Sequence, residues 1–185
     1  MAAAAVPAAR QVRLLWLAAL AWVIAIYSTL YIARPIAEAL RQRNLLRLTV
    51  GTIIALLGVA VLVWAVRASR GWRAWVVLAA GGAALLSGMA TVSPVEVKLH
   101  FVEYCVLGCL LYLALSLGGS RLAAARAIVL TGLAGWLDEG IQYMLPNRWY
   151  DIEDVGINAA AGAIGVVTLV ALGWARRWGA KGWLP

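Results

Sequence analysis

The sequence predicts an all-α fold, a polytopic transmembrane bundle of about six spans with both termini cytoplasmic, and three observations lead there. Of its 185 residues 64% are hydrophobic and 13% charged, with a mean hydropathy of +0.87, which excludes a soluble globular domain. Apolar runs long enough to cross ~30 Å of hydrocarbon recur along the whole chain. Lys and Arg gather between those runs, together with Gly and Pro.

The first run, 14–33, follows Arg10 and Arg13 and has the look of a secretory leader, with Ala37-Glu38-Ala39 as a small-x-small cleavage pattern. Its ~20 apolar residues exceed the h-region of a leader and suffice to span, so an uncleaved signal anchor is expected. The segment 34–40 carries Pro35 where a helix would begin and alternates apolar and charged residues, which predicts a short amphipathic helix on the outer surface. Further spans are expected at 45–66, 74–92, 100–118, 126–145 and 155–174. No internal repeat is visible, and residues 1–185 read as a single membrane domain.

Charge sets the orientation. The net charge of +8 and pI near 10.2 would suggest nucleic acid for a soluble chain, but no soluble domain exists to carry a basic patch, so no nucleic-acid partner is expected. One set of span ends holds ten basic residues (Arg10, Arg13, Arg67, Arg70, Arg73, Arg121, Arg126, Arg176, Arg177, Lys181). The other holds six (Arg34, Arg41, Arg43, Arg47, Lys98, Arg148), so the first set belongs inside. Trp16, Trp64, Trp72, Trp75, Trp174, Trp178 and Trp183 fall near the expected inner ends, as an interfacial belt requires, and Trp149 falls near the outer surface.

The acids are concentrated. Seven of eight lie between Glu96 and Asp154: Glu96, Glu103, Asp138, Glu139, Asp151, Glu153 and Asp154, all toward one membrane face. Each carboxylate inside a span costs about 3 kcal/mol, so Glu103, Asp138 and Glu139 must be paired, protonated, metal-bound or open to water. Helical spacing places His100, Glu103 and Tyr104 on one face, Asp138 with Gln142 on another, and Asp154 with Asn158 on a third. Ala161, Gly162 and Gly165 below Asn158 form a small-residue strip that lets backbones approach. The sole histidine, His100, excludes a bis-histidine haem or two-histidine zinc site within one subunit, and Cys105 and Cys109 read as small packing residues in a helix.

The order Lys98-Leu99-His100-Phe101-Val102-Glu103-Tyr104, Asp138-Glu139-Gly140-Ile141-Gln142, Pro146-Asn147-Arg148, Asp154-Val155-Gly156-Ile157-Asn158 and Gly162-x-x-Gly165 resembles the VanZ-like family of small membrane proteins. The resemblance covers 98–165, and Tyr27-Ser28-Thr29-Leu30 with Arg34-Pro35 is similar to the weaker pattern at the end of that family's first helix. Two departures stand out: Val97 replaces an acid common before the lysine, with Glu96 one place earlier, and Asn147 replaces the usual turn glycine. The resemblance implies a protein of the bacterial cytoplasmic membrane and cell envelope, associated with teicoplanin and glycopeptide antibiotic resistance, without an agreed biochemical activity.

The functional expectation is a polar, acid-rich pocket at the extracytoplasmic face that binds an envelope lipid, a lipid-linked precursor or a glycopeptide-type ligand. Its binding residues would be Lys98, Tyr104, Gln142, Arg148 and Asn158, although Tyr104 and Trp149 also suit plain packing. The alternative is a membrane-embedded enzyme acting on a lipid-linked phosphate or sugar, with His100, Glu103, Asp138, Glu139 and Asp154 as acid–base groups or as holders of a divalent cation, Mg²⁺ or Mn²⁺. No HExxH motif and no nucleophilic Ser or Cys beside His100 supports that alternative. A third reading is a polar network that only pins helices together.

Overall fold

The computed structural model describes residues 8–68, 71–93, 95–146 and 148–180. Within them the chain forms six α-helices: α1 (Ala8–Gln42), α2 (Leu46–Ala68), α3 (Trp72–Thr91), α4 (Lys98–Leu117), α5 (Ala123–Tyr143) and α6 (Ile152–Ala180), with a single 3-10 turn, Val95–Val97, leading into α4. No strand occurs among the described residues. The pattern of burial is inverted relative to a soluble protein. Leu, Ile, Val and Trp side chains lie exposed along every helix, while Thr131, Asp138, Glu139, Gln142 and Asn158 are buried. Such a surface matches lipid as the surrounding solvent.

Five helices are long and apolar enough to cross a membrane, all except α5. The fifth expected span is therefore a helix of span length that does not qualify on composition. Arg126, Asp138 and Glu139 interrupt its apolar character; Arg126 is exposed near its start, while Thr131, Asp138, Glu139 and Gln142 are buried against neighbouring helices instead of facing lipid.

The first helix corrects the expectation of a separate surface helix. α1 runs unbroken through Pro35 for 35 residues, about 52 Å at 1.5 Å per residue. Pro35 cannot donate the bond that a helical residue gives to the carbonyl four residues back, yet the helix continues because its last turns are held by tertiary packing. Ala37 is buried with Leu46 and Val50, and Leu40, Val95 and Leu99 pack against that cluster. The turn into α2 is tight: Asn44 takes a left-handed backbone (φ 58°), and Leu45 N–H reaches back to Leu40 O at 2.8 Å. Asn tolerates that conformation better than most side chains.

Neighbouring contacts fix the helix directions. Val12 lies beside Gly118 at the end of α4, while Trp22 Nε1 donates to Glu103 O near its start (2.9 Å), so α1 and α4 are antiparallel. On α4 and α6, His100 meets Asn158 and Gly108 meets Gly162, so these two run parallel. α5 runs against α6, with Gly135 at Asn158 and Thr131 at Gly162. The start of α1, the α4–α5 turn and the end of α6 consequently share one face of the bundle. The start of α4, the end of α5 and the start of α6 lie at the opposite face.

Close backbone approach holds this core together. A Cβ on Gly108 would sit 2.7 Å from the carbonyl oxygen of Gly162, and one on Gly162 would strike Thr131 of α5. Lipid supplies no hydrophobic drive for helix association, so this kind of contact, through van der Waals packing, brings α4, α5 and α6 together. At the other face the chain leaves α4 through Gly119, whose positive φ of 81° closes the turn with Ser120 N–H bonded to Leu115 O.

Candidate functional site

The residues singled out from the sequence converge from three separate segments, as helix directions require. α4 supplies His100, Glu103 and Tyr104 within its first two turns. α5 supplies Asp138, Glu139 and Gln142 at its end, and Asp138 lies five residues from the last helical residue, about 7.5 Å. α6 supplies Asp154 and Asn158 in its first two turns, and Arg148 comes from the connection between α5 and α6.

At the centre, His100 Nδ1 lies 3.2 Å from Asn158 Oδ1 and 3.8 Å from Asp138 Oδ2. Asp138 and Asn158 are fully buried, and His100 keeps 18% of its side-chain surface. The His100 ring stacks on Tyr104, with centroids 6.2 Å apart and planes within 6°. Tyr104 is also fully buried, and its hydroxyl makes no hydrogen bond among the described residues. The same holds for both carboxylate oxygens of Asp138, for Asn158 Nδ2 and for Arg148 Nε. Buried polar groups normally find partners. These five atoms lack a close hydrogen bond, although Tyr104, Gln142 and His100 all stand beside the Asp138 carboxylate.

Glu139 behaves differently. Its Oε1 accepts from Gln142 Nε2 at 2.9 Å, and its Oε2 accepts from the backbone N–H of Asp151 at 3.2 Å. Asp151 in turn accepts from Glu153 N–H at 2.8 Å, so the acid ties the end of α5 to the entry of α6. Asp151 and Glu153 are exposed, as expected of loop charges. Glu96 pairs with Arg41 across the α1 and α4 ends.

Lys98, the first residue of α4, and Glu103 are each half-buried, and neither side chain forms an ion pair among the described residues. Trp149 is highly exposed. Asn147, the residue expected to take the turn conformation, lies outside the described residues, as do residues 1–7, Arg70, Lys181 and Trp183.

A cavity of about 390 Å³ lies away from the polar cluster, an apolar groove between α3 and α6 lined by Val77, Gly81, Ala84, Ala163, Val167 and Thr168. Among the described residues no group of three or more His, Cys, Asp or Glu side chains is placed to hold a metal ion.

Reasoning from sequence missed α1 as a wall of the site. Tyr27 donates to Ala134 O at 2.7 Å, one helical turn before Asp138, and Trp22 donates to the backbone of Glu103. The carbonyl of Ala134 is the acceptor that α-helical geometry assigns to Asp138 N–H, so Tyr27 shares an acceptor with the acid's own backbone. The Tyr27-Ser28-Thr29-Leu30 resemblance held the signal, but nothing in a single sequence indicates that α1 passes within reach of α5. Thr131, fully buried with its hydroxyl returned to Ala127 O at 2.8 Å, is a second buried polar residue that the acid count overlooked.

A family model described as VanZ/LLP1 matches residues 13–173, from the second turn of α1 into α6. Comparison with curated proteins and with solved structures returns no match.

Proposed function

The chain belongs to the VanZ/LLP1 family, and from that premise we propose that it is a bacterial cell-envelope membrane protein whose polar cluster binds the head of an envelope lipid, a lipid-linked precursor or a glycopeptide-type ligand. The cluster lies at the extracytoplasmic face in this reading, because the opposite bundle face carries the larger set of Lys and Arg. The link to glycopeptide resistance is part of the same proposal and comes from the family alone.

One observation carries the binding reading. Tyr104 Oη, Asp138 Oδ1 and Oδ2, Asn158 Nδ2 and Arg148 Nε are buried donors and acceptors without a close hydrogen bond at the junction of α4, α5 and α6. A network that only fastened helices would close on itself, as Glu139 does with Gln142 and Asp151. Spare capacity of both kinds suits a ligand with hydroxyls for Asp138 and an anionic group for Arg148. Binding then requires the cluster to part, and His100, the half-open member, marks where it would do so.

A second reading, acid–base catalysis on a lipid-linked phosphate or sugar, draws on the 3.8 Å approach of His100 to Asp138. Such a pair can orient an imidazole for proton transfer.

The test is a thermal-shift screen of the purified protein in detergent against lipid phosphates, lipid-linked sugars, teicoplanin, Mg²⁺ and Mn²⁺, run in parallel with Asp138→Asn. The binding reading expects at least one of these to stabilise the wild type and to lose its effect on the variant. Equal shifts for both proteins across the screen would end it.

A further inference from the structure

Away from the polar cluster, α4 carries Cys105 and Cys109, both free thiols and both half-buried. They stand four residues apart and face α6 at Gly165. The position that a Cβ would occupy on Gly165 is 2.9 Å from Cys105 Sγ and 3.0 Å from Cys109 Sγ. Glycine is required there, because any side chain would displace both sulfurs and press on the carbonyl oxygen of Cys105 at 2.7 Å. The bare backbone of α6 thus gathers two thiols over one point inside the bundle.

This pair is poorly suited to a disulfide. Residues four apart on a helix hold their Cβ atoms about 5–6 Å apart. A disulfide needs about 3.5–4.5 Å. A single bridging atom with two bonds to sulfur spans the longer distance without unwinding the helix. The thiols lie about 10 and 16 Å along α4 from Lys98, at a depth where charge is costly. A cuprous bis-thiolate would carry a net negative charge there, whereas a trivalent arsenical and its dithiol adduct are both neutral.

We propose that Cys105 and Cys109, gathered over Gly165, form an intramembrane dithiol site for a neutral, trivalent thiophilic ligand of the arsenous-acid class. Two S–H and two As–O bonds break, two As–S bonds form and two water molecules leave. Arsenic stays trivalent, so no oxidant or reductant is needed. The site is independent of the binding proposed for the polar cluster.

The experiment uses phenylarsine oxide as the probe on the full chain in detergent, followed by maleimide labelling and intact-mass measurement. One arsenic per chain is expected, with both thiols blocked. The adduct should resist 2-mercaptoethanol and be removed by 2,3-dimercaptopropanol. In Cys105→Ala and Cys109→Ala, singly attached arsenic should be lost to 2-mercaptoethanol on the order of 100-fold more readily, since the second, intramolecular bond is gone. Cys105→Ser and Cys109→Ser repeat the measurement should an alanine variant aggregate. A wild-type adduct stripped as easily as those of the single variants would overturn the site. Cuprous ion protecting both thiols as well as the arsenical does would overturn the neutral-ligand assignment.

Discussion

His100 on α4 and Asn158 on α6 meet at 3.2 Å, Nδ1 to Oδ1, across 58 residues of sequence and over a fully buried Asp138. The contact joins two parallel helices at the end of the bundle where the acids collect. Hydrogen bonds between membrane helices average about 0.6 kcal/mol, whereas stranding a buried polar group costs about 1–3 kcal/mol. Asn158→Ala leaves His100 and Asp138 in place with one neighbour fewer, so a loss of about 1 kcal/mol is expected. Unfolding in mixed detergent measures it, and an unchanged midpoint would show that the contact does not support the bundle.

Glu139 is expected to act on the chain entering α6. Glu139→Ala removes the acceptor of both Gln142 and Asp151 N–H. Hydrogen exchange over residues 148–152 should accelerate relative to wild type, with α4 unaffected. Glu139→Gln retains one acceptor oxygen and should show a smaller change. Equal exchange in all three proteins would remove Glu139 from that role.

The glycines separate into two kinds. Gly108→Ala forces a Cβ to within 2.7 Å of a backbone oxygen of α6, which can yield only by moving a helix. A cost of about 1–3 kcal/mol is expected, typical of overpacking, read as a lower melting temperature. Gly140→Ala meets nothing within 4 Å and sits inside α5. It should be neutral or stabilising by up to about 1 kcal/mol, through helix propensity alone.

Arg41 and Glu96 pair with side chains 55% and 32% exposed. Solvent and salt screen such a pair, so a double-mutant cycle of Arg41→Ala with Glu96→Ala should return about 1 kcal/mol or less, falling as salt is added. A larger, salt-independent coupling would mean that the α1 extension is held by this pair more than by Ala37 and Leu40.

Topology has its own test. In a background with Cys105→Ser and Cys109→Ser, single cysteines at Asp151 and at Arg121 should react with an impermeant reagent from opposite sides, Asp151→Cys from outside. Both labelled from one side would contradict the helix directions. Asp151→Cys labelled only from the cytoplasm would reverse the orientation.

Much of the polar cluster was legible in the chain. Asp138 and Glu139 stand out because a carboxylate in an apolar run is costly enough to demand a reason, and helical spacing alone put His100 with Tyr104 and Asp138 with Gln142. Tyr27, Trp22 and Thr131 were not legible, since a neutral Tyr, Trp or Thr in a span carries little penalty and raises no question. Pro35 misled for a related reason. Local rules make it a helix start, but the burial of Ala37 and the packing of Leu40 against its cluster belong to tertiary structure.

The amino-acid sequence by itself determined the solvent of this protein, its six helices and the end of the bundle where its acids lie. Those follow from hydropathy and charge, which are properties of single segments. Only the tertiary structure decided that the acids divide into a closed arm at Glu139 and an open one at Asp138, that α1 walls the cluster, and that two cysteines meet over Gly165. Each of these depends on how closely two helix backbones approach. That distance is set by matched surfaces on segments far apart in the chain, and no periodicity within either segment records it.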